Sequence, residues 1–313
     1  MRLIFVLKKR RNMMKDDFLQ RLLALHYVYP KPLNRLQRLL SDDPELEKLA
    51  AQKPSELASR LEMQFAQANQ LKNAYLKALK TPFCEVYAKH KITPISYRHR
   101  HYPESLLELI DPPAVLYAKG RTELLLAPEK IAVIGSRNAS PYSRQAIHAL
   151  LPSLIEQNMV IISGLAKGAD AMAHAAAIEL GGQTIAVTGS GFMHPYPKEN
   201  AGLHNIIEEK YLSITEYPPY MQPKRWNFPM RNRIISGLSQ GVLVTEAKVK
   251  SGTLSTVEHA LDHGKDIFAV PGNIFSDLSA GPHKLIADGA KPVWKGSHIL
   301  EEYRQLIGKN EQH

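Results

Sequence analysis

The chain has 313 residues, of which 44% are hydrophobic and 22% charged, and these proportions indicate a globular protein with a buried core rather than a disordered one. The single cysteine, Cys84, excludes an internal disulfide and is typical of a protein of the reducing cytoplasm. The net charge of +10 suggests a polyanionic partner, whereas no apolar stretch approaches the roughly 20 residues that cross a bilayer, so membrane insertion is not expected.

The excess of positive charge is concentrated in a basic lead, residues 1–15, which carries six basic side chains and no acidic one. Residues 16–90 carry 11 basic and 9 acidic side chains, and residues 91–313 carry 23 and 21. The body of the chain would therefore bind a polyanion through a local patch and not through its overall charge. The lead lacks the order of a signal peptide. We interpret it as a disordered arm or as the product of an early start codon, since Met13 and Met14 follow, and assign it no function.

Residues 16–90 are predicted to form a small helical domain. Leucines recur at helical spacing before Pro30 and resume after Pro32. Further helical stretches are predicted over Glu45–Gln52 and Pro54–Lys80. The domain is interpreted as a structural cap, with contact to a partner as the alternative.

Residues 91–313 show short apolar runs that alternate with helical segments, a pattern typical of a parallel sheet covered on both faces. The predicted fold class is therefore α/β, an extended Rossmann-like parallel sheet preceded by the small helical domain. Strands are predicted at Ile131–Ile134, Met159–Ile162, Thr184–Val187, Leu212–Thr215, Val242–Thr245, Ile267–Val270 and Pro292–Trp294. Such sheets bind ligands beyond the carboxyl ends of their strands, so the turns after the strands are the candidate sites.

The first two of these strands lead into glycine-bearing turns with one cation each. In Gly135–Ser140 the glycine would let a ligand approach the backbone, Arg137 offers a planar fork that matches phosphate oxygens, and the following helix would present free amides to an anion. Ser163–Gly168 carries Lys167 in a similar setting. A purely structural turn is the alternative for both. Asp170 and His174 lie on one helix face, but without a third ligand they are interpreted as a helix-start carboxylate and a packed histidine rather than a metal site.

The third turn, Gly189–Asn200, is a near miss to the dinucleotide fingerprint. His194 stands where its last glycine should be, and no acidic residue closes the preceding strand to hold a ribose, so no dinucleotide cofactor is expected. Phe192 and Tyr196 beside Lys198 could instead stack bases and neutralise a phosphate, with burial in the core as the alternative.

Two further segments add cations and hydroxyls. Arg225–Arg233 interleaves arginines with aromatic residues, for which a salt-bridged helix start is the alternative interpretation. Lys248–Thr253 places small residues and hydroxyls at a helix start, a favourable phosphate seat that lacks the order and spacing of a P-loop. A mononucleotide needs one or two such turns, whereas a row of them suits a polymer of phosphates.

Taken in order, these motifs strongly resemble the DNA-processing protein A family (DprA, also called Smf). The resemblance runs from about residue 97 to 294. It rests on the quoted turns together with Tyr102-Pro103, Asp111-Pro112-Pro113, Tyr196-Pro197-Lys198, Phe228-Pro229 and Val270-Pro271-Gly272. The chain resembles the short form of the family, which lacks a winged helix after the Rossmann-like domain. Its helical domain is similar, more loosely, to the family's sterile-alpha-motif-like N-terminal domain.

The resemblance implies a cytoplasmic, non-enzymatic homodimer that binds and protects single-stranded DNA and helps to load the RecA recombinase during natural transformation. It implies no cofactor and no metal. The implied nucleic-acid contacts are Gly135, Ser136, Arg137, Gly164, Lys167, Gly168, Lys198, Asn200, Arg231, Asn232, Arg233, Lys250, Ser251, Gly252 and Thr253, with Phe192, Tyr196 and Phe228 as candidate stacking residues.

Two rival interpretations stay open at this point. A Rossmann-like phosphoribohydrolase of nucleoside monophosphates uses a similar turn with a glutamate on the next helix, and Ser251–Thr253 with Glu258 is a partial echo of it. An interaction scaffold, in which the helical domain is the working part, predicts that residues 91–313 alone do not bind DNA.

Overall fold

The computed structural model describes residues 17–310, with side chains up to residue 303, so the basic lead of residues 1–15 lies outside the described residues. The chain divides into two compact units. The first contains residues up to Tyr102 with Ile110–Tyr117 and Glu216–Pro218, and the second contains Pro103–Leu109, Ala118–Thr215 and the residues from Pro219 onward. The predicted division near residue 90 falls inside the first unit.

The first unit is mainly helical. Buried leucines at helical spacing, among them Leu22, Leu36 and Leu39, form its core. Its helices are α1 (17–28), α2 (Gln37–Asp42), α3 (Pro54–Arg60), α4 (Phe65–Ala78) and α5 (Phe83–Lys89), and its strand is β1 (Thr93–Ser96).

Of the predicted helical stretches in this unit, one is not helical and another is interrupted. Residues 45–52 form turns, because the buried Asp43 carboxylate accepts the backbone amides of Glu47 and Lys48 at 3.0 and 2.8 Å and Leu46 has a left-handed φ of 54°. The stretch predicted over Pro54–Lys80 is interrupted between α3 and α4, where Glu62 has a φ of 51°.

The second unit contains a parallel sheet, which confirms the predicted α/β class. After β2 (Val115–Gly120), whose residues are shared by both units, its described strands follow in the order β6-β5-β4-β3-β7-β8-β9. They are β3 (Lys130–Ile134), β4 (Val160–Ser163), β5 (Thr184–Val187), β6 (Leu212–Thr215), β7 (Gly241–Val244), β8 (Asp266–Ala269) and β9 (Lys291–Pro292). The helices are α6 (Pro141–Glu156), α7 (Ala169–Glu179), α8 (Ala201–Lys210), α9 (Asn227–Leu238), α10 (Gly252–Asp262), α11 (Ala280–Ala287) and α12 (Gly296–Asn310).

The strand order places a switch point between β3 and β7. The chain moves outward from β3 through β4 and β5 to β6, and then returns to pair β7 with the other edge of β3, where Ile131 lies opposite Gly241. Strands β3 to β7 are buried throughout, and α6 covers them with Ile147, Leu150 and Leu154. At such a switch point the loops after the two strands diverge and leave a crevice, so ligands are expected beside the carboxyl ends of β3 and β7.

Candidate nucleic-acid interface

A cleft of about 400 Å³ opens at this switch point. Its walls are the turns after β3 and β7, the first turns of α9 and α10, and the segment before α9. Its basic lining residues are Arg137, Arg225, Arg231, Lys248 and Lys250, and the lining carboxylate is that of the buried Asp170. The excess of positive charge suits the cleft to an anion.

The start of α10 forms the floor of the cleft. Ser251 is the N-cap residue, and apart from the neighbouring residues and the backbone of α10 itself no described atom lies within 4 Å of the position that a Cβ of Gly252 would take, so a ligand can approach the backbone there. The turn is held from both sides, because the Thr253 hydroxyl donates to the Gly135 carbonyl at 3.0 Å and the Asn232 amide donates to the Ser255 hydroxyl at 3.0 Å. The free amides and the dipole of α10 therefore face an open, pre-formed anion seat.

The start of α6, in contrast, is already occupied, and the expectation of free amides there is wrong. The buried Glu246 carboxylate accepts the Ser140 amide at 2.7 Å and the hydroxyls of Ser140 and Ser143 at 2.8 and 2.9 Å. The Glu246 carbonyl also accepts the Ser136 amide at 2.6 Å. An internal anion thus fills the helix terminus and fixes the turn that carries Arg137, so α6 has no vacant place for a phosphate.

The glycines of the first two turns make room for protein atoms. A Cβ on Gly164 would lie 2.5 Å from the Arg231 guanidinium, and one on Gly168, whose φ is 74°, would lie 2.3 Å from the Ser136 carbonyl. Gly135 is enclosed in the same way by Ala169 and Thr245. These three glycines therefore allow the turns to pack closely on one another, and nucleic-acid contact by them stays a prediction.

Two of the predicted phosphate contacts, Arg231 and Arg233, have side chains in the interior, with 4% and 3% exposure. The Arg231 guanidinium donates to the Gly164 carbonyl at 2.5 Å and also to the Val187 carbonyl, which joins the ends of β4 and β5 to α9. Arg231 reaches the cleft only as part of its wall. Phosphate contact by these two arginines stays a prediction, and the structure gives Arg231 a structural role.

A second basic group lies at the ends of β4 and β5, outside the lining of the cleft. Lys167 and Lys198 are exposed, and Lys167 forms an ion pair with the exposed Glu199. The Asn200 side-chain amide donates to the carbonyls of Leu165 and Ala166 at 3.0 and 3.2 Å, which ties the two turns together. The predicted polar contact Asn200 is thus engaged in holding the site.

Aromatic contacts connect the two basic groups. The rings of Tyr196 and Phe228 are 5.4 Å apart, and the Arg137 guanidinium lies 5.6 Å from the centre of the Phe228 ring. The third candidate for stacking, Phe192, is half-buried and contacts Lys119 at 5.0 Å. Tyr196 and Phe228 are therefore placed between the basic groups, whereas Phe192 belongs to a different contact.

The cleft includes cations that were not among the predicted contacts, Arg225 and Lys248. Both are exposed and lie in the segments Arg225–Arg233 and Lys248–Thr253, which the sequence analysis identified as basic. Their residue type and their position in these segments could have identified them as candidate phosphate contacts. We name the exposed cations of these turns the cationic rim; its members are Arg137, Lys167, Lys198, Arg225, Lys248 and Lys250. Within the described residues there is no group of three potential metal ligands, and no helix has the length and hydropathy of a membrane span.

Comparison with known proteins gives consistent matches. The family described as DNA recombination-mediator protein A matches residues 93–304. The DNA processing protein DprA of Bacillus subtilis is 45% identical over 216 residues, which are 69% of this chain and 73% of that protein, and DprA of Streptococcus pneumoniae is 47% identical over 202 residues, which are 64% and 71%. Protein Smf of Escherichia coli is 33% identical over 92% of this chain and 75% of its own length.

Solved structures agree with these relatives. The X-ray structure of DprA from Streptococcus pneumoniae superposes with a TM-score of 0.68 at 36% identity and covers 86% of this chain and 96% of that one. DNA processing protein A from Helicobacter pylori, whose structure was reported for its unique single-stranded DNA binding mode, gives a TM-score of 0.62 at 29% identity over 69% of this chain and 96% of that one.

Proposed function

This chain belongs to the DNA recombination-mediator protein A family, and from that premise we propose that it binds single-stranded DNA through the cationic rim. The observation that carries the proposal is the placement of the rim. Its cations follow β5, β4, β3 and β7, which are neighbours in the parallel sheet, or flank the cleft between β3 and β7. Because parallel strands end at one edge of the sheet, we infer that the cations lie in one row along which a flexible chain of phosphates can bind.

Family membership also suggests what the protein does with the bound strand. We propose that the bound strand is protected from nucleases and passed to the RecA recombinase during natural transformation, and that the protein acts in the cytoplasm as a homodimer without catalysing a reaction. The sequence similarity to DNA processing proteins supports this assignment.

The proposal is tested by titrating salt during binding of a labelled oligo(dT) to the wild-type protein and to Arg137→Ala. Loss of one phosphate contact is expected to weaken binding about tenfold at low salt, equally for all sequences, and to reduce the slope of log K against log salt by about 1. The control is Arg144→Ala, an exposed arginine on α6 outside the cleft lining. If both variants bind like the wild type, Arg137 does not contact the strand, and if the wild type itself does not bind, the proposed function fails.

A second prediction concerns Glu199, an exposed carboxylate that pairs with Lys167 of the cationic rim and repels a phosphate. The hydrogen bond from Lys167 holds the pKa of the Glu199 carboxyl below its usual range, so this side chain is ionised at neutral pH. Glu199→Gln is expected to strengthen oligo(dT) binding several-fold at low salt and to steepen the salt slope by about 1, because Lys167 is then available to a phosphate.

The matched control for Glu199 is Glu179→Gln, which removes a similarly exposed carboxylate that contacts the His148 ring at 3.1 Å on the α6–α7 surface. Unchanged affinity of Glu199→Gln would show that the strand does not pass over Lys167. An equal gain in both variants would show that the effect arises from net charge alone.

The rival phosphoribohydrolase needs a glutamate beside the Ser251–Thr253 turn. Glu258 is exposed and is not among the residues that line the cleft, whereas Ser251, Gly252 and Thr253 are. The structure therefore does not place the Glu258 carboxylate in the cleft beside this turn. Release of free base from AMP by the purified protein would favour the enzyme over the DNA-binding function.

A further inference from the structure

Trp226 borders the cleft, and two thirds of its surface (66%) is exposed. It stands between Arg225 and Phe228, both of which line the cleft. Its own contact is with Lys224, whose ammonium lies 5.3 Å from the centre of the ring. An indole left this open at the border of a basic cleft does not serve the packing of the core.

The backbone beneath Trp226 is fixed. The next residue, Asn227, is buried, and its side-chain amide donates to the Gly189 carbonyl at 3.0 Å, while its backbone amide donates to the Lys224 carbonyl at 2.9 Å. Trp226 is itself the N-cap residue of α9. The indole therefore projects from a rigid turn, so ordering it against a ligand costs less entropy than ordering a side chain on a mobile loop.

We propose, on the basis of the proposed single-strand binding, that Trp226 is a stacking platform for a base of the DNA strand whose phosphates lie on Arg225 and Arg137. When the rim holds the phosphates, the bases of an unpaired strand point away from it. An exposed indole beside the cations then offers a flat aromatic face on which a base of any type can stack. The flanking cations Lys224 and Arg225 neutralise the phosphates on either side of the stacked nucleotide.

Stacking and charge neutralisation have different signatures in a salt titration. Trp226→Ala is expected to weaken oligo(dT) binding by about 5- to 100-fold and to leave the salt slope unchanged, because no counterion is released by a stacked base. Trp226→Phe, which keeps an aromatic face, is expected to regain most of the affinity. The matched control is Trp294→Ala, since Trp294 is exposed to a similar extent, 61%, and packs edge-on against His298 outside the cleft.

The strand can be varied as well as the protein. With an oligonucleotide of abasic sites in place of bases, the wild type and Trp226→Ala are expected to bind alike, because the platform then has nothing to stack on. The chain has two tryptophans, so Trp294→Phe leaves Trp226 as its one tryptophan, and its fluorescence is expected to fall on binding oligo(dT) and not on binding the abasic strand.

These outcomes separate the platform from the function on which it rests. If the wild type binds oligo(dT) but Trp226→Ala binds equally well and the fluorescence is unchanged, the platform is refuted and the rim stands. A loss of affinity that persists on the abasic strand would also refute the platform, since it would show that Trp226 acts through the fold. If the wild type does not bind oligo(dT) at any salt concentration, the proposed function itself fails.

Discussion

Replacing Arg137, Lys248 and Lys250 together by alanine is expected to remove binding of single-stranded DNA almost completely. The three cations line one cleft and are all exposed, so each can reach a phosphate. With charge-assisted contacts worth roughly 1.5 kcal/mol or more apiece, the loss amounts to about a thousandfold or more in affinity. The salt slope is expected to fall by about 2.7, which is the counterion release of three phosphate contacts.

The triple variant is expected to fold normally, because exposed side chains away from packing usually change stability by less than about 0.5 kcal/mol. Its thermal melting temperature provides the check. A charge-matched control replaces Arg144, Lys210 and Lys284, which are exposed on α6, α8 and α11 outside the lining of the cleft. Equal loss of binding in both triple variants would mean that DNA responds to net charge and that the cleft is not the binding site.

The sheet could be predicted closely from the sequence because its signal is local. β5 and β6 match their predicted bounds to the residue, and the other strands of the second unit differ by one or two residues at their ends. Fully apolar runs that are separated by glycines and polar turns are typical of the strands of a parallel sheet buried on both faces. Strands β1 and β2 were missed, since Thr93–Ser96 contains a proline and Val115–Gly120 lies within a continuous run of mixed character.

Helix starts were predicted less well because their caps lie outside the periodic pattern. The sequence predicts a helix over Arg144–Gln157, but α6 begins at Pro141, since the Ser140 side chain accepts the Tyr142 amide and Pro141 suits the first helical position. The periodic pattern predicts a helix over Ser255–His263, whereas α10 begins at Gly252. For α10 the difference is functional, because the earlier start places the helix amides in the cleft.

The location of the site could be predicted from residue type, but the roles of its residues could be predicted only in part. Glycine, arginine and hydroxyl residues after each strand marked the correct edge of the sheet. The burial of Arg231 could not be foreseen, because its acceptors, the Gly164 and Val187 carbonyls, are 67 and 44 residues away in the sequence. For the same reason Glu246 could not be recognised as the internal anion of α6, whose serines lie about a hundred residues earlier.

The structural role of Arg231 leads to the largest expected effect on stability. Arg231→Met keeps much of the side-chain volume, but it deprives the Gly164 and Val187 carbonyls of a donor and removes a cation that stabilises the buried Asp170 carboxylate. Removing one partner from a buried charged network costs roughly 3–5 kcal/mol, so this variant is expected to unfold at much lower denaturant concentration than the wild type.

The pH dependence of that loss identifies its cause. Burial raises the pKa of Asp170, and Arg231 opposes this rise, so Arg231→Met is expected to raise it further. A carboxyl whose folded-state pKa lies above its unfolded value binds more protons in the folded state, so its penalty grows as pH rises and diminishes as pH falls toward the unfolded pKa of about 3.9. The difference in unfolding free energy between wild type and Arg231→Met should therefore narrow from pH 8 to pH 5, and Asp170→Asn added to Arg231→Met should recover part of the stability at neutral pH. A difference that does not change with pH and is not reduced in the double variant would mean that the lost carbonyl hydrogen bonds and packing, and not the buried charge of Asp170, account for the whole effect.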